Sequence, residues 1–262
     1  MTPFFRRIRH KLANENQFLK YSRYAIGEIL LVVVGILIAL QINNWNSNRL
    51  NKLKEDKFLI NLQRDLNKQL QTINGNIKKE KHIYNSLDSA NFNYNKHKKF
   101  RAVKQDLVLL STMNDRYTFI ITNPTYTELL STGNLDLISD MVFKDQLVRY
   151  YADLELTTQV IQKNNDYKDN VISSISISIF EIIGGSDPDQ IYDGMDSSFK
   201  NYESPEHLLE IVKSNISKPE NELILLNLLR FRRMSAFLHI RKFEKAKVQT
   251  EELLETMNPF MK

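Results

Sequence analysis

Cysteine is absent from the sequence, which excludes disulfides, thiolate zinc sites, thiolate-held iron–sulfur clusters and cysteine nucleophiles. Glycine and proline are scarce, at 7 and 6 of 262 residues. That scarcity disfavours glycine-rich nucleotide loops, collagen-like repeats and many-turned β-sandwiches. The five histidines, His10, His82, His97, His207 and His239, include no pair four residues apart around a glutamate, so a helical zinc-protease motif is missing. Neither a Gly-x-Ser-x-Gly elbow nor a Gly-Lys-Ser/Thr phosphate loop occurs. No catalytic, metal-binding or cofactor-binding residue is predicted, and the chain reads as a non-enzyme without a cofactor.

Charge is unevenly spread. Residues 1–23 hold Arg6, Arg7, Arg9, Lys11, Lys20 and Arg23 against Glu15 alone, so the net +5 of the chain resides there. The remaining residues carry 30 basic and 30 acidic side chains of the 36 and 31 in the whole chain. Nucleic-acid binding needs a concentrated positive face on the folded part. A neutral bulk argues against it.

Behind the basic segment, Ile29 to Leu40 contains no polar side chain, and Tyr24 to Ile42 is 19 residues, about 28 Å of helix at ~1.5 Å per residue. That length approaches the hydrocarbon thickness of a bilayer. Tyr21, Tyr24 and Trp45 stand at the two edges, where amphipathic rings favour the headgroup level. Residues 42–48 carry no charge, so the positive-inside rule places the N-terminus in the cytoplasm and residues 46–262 in the periplasm. The organisation predicted is a basic cytoplasmic segment (1–23), a single transmembrane helix (24–45) in a bacterial inner membrane, and a periplasmic helical domain (46–262). The competing readings are a cleaved signal, for which Ala39-Leu-Gln-Ile-Asn-Asn-Trp45 is a poor cleavage site, and a buried helix of a soluble protein. Thr2-Pro3 starts a helix in which Phe4, Phe5, Ile8 and Leu12 recur between Arg6, Arg7, Arg9 and Lys11. This is the pattern of an amphipathic helix on anionic lipid; the alternative is a disordered tail that only sets topology.

Glu28 is the one charge within the span. With Val32, Gly35, Ala39 and Asn43 it falls on one helix face. Gly35-xxx-Ala39 permits close approach of a second helix, so this face reads as a packing seam for a second copy or a partner. Glu28 alternatively snorkels toward Arg23, or titrates in ion conduction.

The segments Phe4-Phe5-Arg6-Arg7-Ile8-Arg9, Tyr24 to Asn46, and Tyr126-Thr-Glu-Leu-Leu-Ser-Thr-Gly-Asn-Leu-Asp-Leu-Ile-Ser-Asp140 resemble an uncharacterised family, a domain of unknown function in single-pass membrane proteins of Bacteroidota. The resemblance implies an inner-membrane anchor with a helical periplasmic region. It brings no activity, ligand or catalytic residue.

Leu59, Leu62, Leu66, Leu70, Ile73, Ile77, Tyr84 and Leu87 form an apolar stripe on a long helix that can run on from the span, with Asn74-Gly75-Asn76 as a candidate break. Asn93 to Lys99 reads as a loop, and Val103–Met113 as a short helix. Asn123-Pro124, or Thr125 with Glu128, caps a helix that Gly133 stops. Phe143, Leu147, Tyr150, Tyr151, Leu154, Val160 and Ile161 mark a long helix reaching Phe180. Its Ser174–Ile179 stretch alternates with strand period, but helix is preferred because a strand partner is offered only by Tyr117–Thr122. Gly184 to Ser204 is a loop, Ser204-Pro205 starts a short helix, and Pro219 starts a long one with Ile224, Leu228, Phe231, Phe237, Leu238 and Leu254 as its apolar positions. The fold class is mainly α, an antiparallel bundle behind one transmembrane helix.

Asp187, Asp189, Asp193 and Asp196 crowd the 184–204 loop but fail the calcium-loop pattern, since its twelfth position is Ser198. Lys96-His97-Lys98-Lys99-Phe100-Arg101 reads as a solvated basic run. His239 reads as a helix-surface or core-edge residue. Arg230, Arg232 and Arg233 are expected to include one inward-facing ion pair. The leading function is a membrane-anchored binding or scaffold protein, an accessory subunit of a cell-envelope complex, with lipid and a second copy or envelope protein as partners. The alternatives are a ligand-sensing bundle signalling through a membrane partner and an envelope enzyme without a recognisable motif.

Overall fold

A computed structural model describes residues 18–180, 182 and 205–257. Among these residues the fold is mainly α, with no strand. The helices are α1 (Phe18–His97), α2 (Lys104–Ser111), α3 (Pro124–Ser131), α4 (Met141–Tyr167), α5 (Ser174–Ile179), α6 (Glu206–Ile216) and α7 (Pro219–Met257). Short 3-10 turns occupy Thr112–Asn114 and Asn134–Leu137, and a six-residue π-helix, Lys168–Ser173, joins α4 to α5. The chain divides into two compact units, Met1–Lys57 and Phe58–Lys262.

The first unit is described as helix from Phe18 onward. Its apolar window is the one segment among the described residues long and apolar enough to cross a membrane, and none of that window is buried in the chain. Ile29 to Leu40 project without a polar partner, which is unfavourable in water and favourable in hydrocarbon.

In the second unit the apolar side chains gather into two clusters. One holds Leu62, Leu66 and Ile73 of α1 with Phe143 and Leu154 of α4 and Phe243 of α7. The other holds Ile83 and Leu87 of α1 with Leu107, Ile172, Leu225 and Leu229. The stripe on α1 that builds both is the one its three- and four-residue spacing announces.

Four expectations need correction. Asn74-Gly75-Asn76 does not break α1, which is continuous through it; Asn76 Nδ2 donates to the Thr72 carbonyl one turn back. Asn93 to Lys99 is not a loop, because α1 runs to His97 and ends at Lys98, whose φ is 56°. Tertiary contacts hold that polar turn helical: Asn93 donates to Asp106 and the Tyr94 hydroxyl to Glu222. Ile224, Phe231, Phe237 and Leu238 of α7 are exposed, and the inner face is instead Leu225, Leu229, Arg232, Ala236, His239 and Phe243. His239 is only 1% exposed, an interior residue rather than an edge one. Ser174–Ile179 is helical, as preferred, and α3 starts at Pro124 and is followed by Gly133 at φ 68°. The 184–204 loop and its four aspartates lie outside the described residues.

Candidate functional site

A polar layer crosses the second unit between the two apolar clusters. It draws Glu80 from α1, Asn114 and Asp115 from the end of the first 3-10 turn, Asn164 and Lys168 from the α4–π junction, and Arg232 and His239 from α7. Each element supplies its polar groups where its heptad stripe is interrupted: on α1 Glu80 falls between Ile73 and Ile83, and on α7 Arg232 and His239 fall between Leu229 and Phe243.

Glu80 is the centre. One carboxylate oxygen accepts from both Arg232 terminal nitrogens at 3.3 and 3.4 Å, and the other lies 3.1 Å from His239 Nδ1. Burial alone pushes the Glu80 carboxyl up, but Arg232 and His239 outweigh it and hold it below the ordinary carboxylate value. Asn164 Nδ2 sits 2.9 Å from His239 Nε2, so the ring is held from both sides, with Nδ1 facing Glu80. Arg232 also donates to the Asp115 carbonyl at 3.1 Å, and Lys168 donates to the Asn114 carbonyl at 2.9 Å. The Asp115 carboxyl is the imperfect member: its Oδ2 is buried with no hydrogen-bond partner. Burial raises its pKa, against the pull of Arg232, His82 and Lys168. A second buried acid, Asp65, is fully occupied, accepting from the Thr125 backbone N–H at 3.0 Å and its hydroxyl at 2.6 Å. Thr125 therefore anchors α3 onto α1 and does not cap its own helix. Such groups align helices; among the described residues no set of three or more His, Asp or Glu is disposed to hold a metal.

The model of one protein family, described as a family of unknown function and designated DUF6090, matches residues 28–184. The chain belongs to DUF6090. The matched stretch includes Glu28, Glu80, Asp115 and Lys168, while Arg232 and His239 lie beyond it on α7. No curated protein and no solved structure matches the chain.

Of the predicted site residues, Val32, Gly35, Ala39 and Asn43 lie exposed on α1, and a methyl added at Gly35 would meet nothing within 4 Å in the chain. Glu28 is partly covered. Arg6, Arg7, Arg9 and Lys11 lie outside the described residues. The inward ion pair expected from Arg230, Arg232 and Arg233 is that of Arg232 with Glu80. Glu80, Asp115 and Lys168 are not singled out by the sequence because the hydrogen-bond partners that draw them together are 54 to 159 positions away. The signal available in the sequence was the acids that interrupt the α1 stripe, Asp65 and Glu80.

Proposed function

We propose that this member of DUF6090 is a membrane-anchored helical binding or scaffold protein, an accessory subunit of a cell-envelope complex. The observation that carries the reading is the apolar stretch of α1, exposed over its whole length, on the same chain as a bundle with an internally packed core. The first finds its solvent in lipid, and the second needs none. The basic segment 1–23 orients the span with the N-terminus in the cytoplasm and residues 46–262 in the periplasm. Arg6, Arg7, Arg9 and Lys11 lie on anionic lipid, and the Glu28, Val32, Gly35, Ala39 and Asn43 face packs against a second copy or an envelope protein. The bundle works by contact, with neither cofactor nor nucleic acid.

The test is purification of the full chain from native membranes in mild detergent, with a reporter fused after Lys262. A periplasmic reporter and a stoichiometric partner are expected, with recovery reduced by Gly35→Leu and unaffected by Leu37→Ala on the opposite face. A reporter active only in the cytoplasm, or a lone monomer, would refute the reading.

A further inference from the structure

We infer that the outer face of α7 between Leu223 and Arg241 is a docking surface for an acidic amphipathic helix of a partner protein; this rests on the binding role proposed above and says where and with what chemistry it is exercised.

Helix α7 is apolar on two sides. Its inner stripe builds the two core clusters. Its outer side repeats large apolar residues at helical spacing, and Leu223, Phe231, Met234, Phe237 and Leu238 are each 43–61% exposed. Apolar surface that clusters on one helix face, and not scattered singly, marks an interaction site. The face is braced on both sides by rings: Phe231 packs on Tyr167 of α4 at 4.6 Å, and Phe237 faces Tyr84 of α1 at 6.2 Å. These contacts fix the side chains before a partner arrives, which lowers the ordering cost of binding.

Charge selects the occupant. No acid occurs between Glu222 and Glu244, and the exposed charges along the apolar strip are Arg230 and Arg241. Neither arginine makes an ion pair among the described residues, whereas the flanking Arg233 and Lys81 are matched by Asp88 and Glu244. An apolar strip interspersed with arginines that pair with no acid among the described residues complements a helix with an apolar stripe and acidic flanks. A second copy laid face to face would bring its own arginines and no acid to the same strip.

The experiment places a photo-cross-linking residue at Phe231, Met234 or Leu238 of the full chain in living cells, with Gln146 of α4 as an exposed control. The adducts are mapped to sequence by mass spectrometry. Expected are adducts from all three positions on one segment of one partner, that segment being amphipathic with an excess of Asp and Glu. Arg230→Glu with Arg241→Glu should cut the yield by about tenfold or more, and reversing the partner's acids to Lys should restore it. Adducts to lipid, to a second copy or to this chain's own acidic 187–203 stretch would overturn the inference. So would a partner segment without acidic flanks, a yield indifferent to the arginines, or no adduct above the Gln146 control. Should a stoichiometric partner co-purify while these adducts fail, the accessory-subunit reading stands and only the docking face is wrong. Should no partner co-purify, both fall.

Discussion

Glu80 shows what a single buried charge demands. Removing it from water is repaid only because Arg232 and His239 both face it. Glu80→Gln should leave Arg232 buried without its counter-charge and cost about 3–5 kcal/mol, read as a lower urea midpoint for the full chain in detergent. Arg232→Met should cost a comparable amount. Combining Arg232→Met with Glu80→Leu should recover most of the loss, though His239 Nδ1 still lacks its partner. Additive losses in the pair would mean that the two do not act as a unit. Asp115 has the opposite sign. Its pKa is raised above 3.8, so the folded state takes up a proton before the unfolded chain does, and stability rises as pH falls through that raised value. Glu80, held below 4.5, contributes stability that is lost only at lower pH. Asp115→Asn should therefore remove a gain in melting temperature on mild acidification, measured by circular dichroism at a series of pH values. An unchanged profile in that variant would rule Asp115 out as its source.

At the scale of elements, legibility followed whether the outer face of a helix competes with its inner stripe. On α1 the inner positions Leu59, Leu62, Leu66, Ile73 and Leu87 keep the helical period although Asp65, Gln69, Asn76 and Glu80 are buried among them, and no apolar stripe on the outer face competes with them. On α7 the inner stripe is interrupted by Arg232, Ser235, His239 and Thr250 while the outer face carries Phe231, Phe237 and Leu238, so of the six apolar positions the period offers only Leu228 and Leu254 face the core. The end of α1 was missed because Asn93 and Tyr94 are held by Asp106 and Glu222, partners that local propensity does not see. The same distinction governs Gly75. Glycine read as a breaker, yet the helix passes through it, and an added methyl would meet nothing within 4 Å. Gly75→Ala should stabilise the chain by about 0.5–1 kcal/mol, because alanine loses less backbone freedom on folding. A higher urea midpoint with unchanged helicity is expected; a lower one would show that the glycine is needed where it stands.

For the whole molecule, the family match ends at residue 184, but the core does not. Leu225, Leu228, Leu229 and Ala236 complete one apolar cluster, and Phe243, Ala246, Leu253 and Met257 complete the other. A chain cut after residue 184 should therefore lose cooperative unfolding of the bundle while the apolar stretch of α1 still partitions into membranes. A sharp, unshifted urea transition in that fragment would show α7 to be an accessory to the core. The polar layer adds a consequence of a different kind. Heptad-spaced apolar helices slide past one another one turn at a time at small cost, since one leucine replaces the next. Here a one-turn slip of α7 would strand Arg232 among hydrocarbon and leave Glu80 facing Leu228 or Ala236, as costly as losing the pair itself. The layer thus works as a vernier mark: it spells out one alignment of α7 on α1, and misaligned collapses are rejected by electrostatics before packing has to judge them.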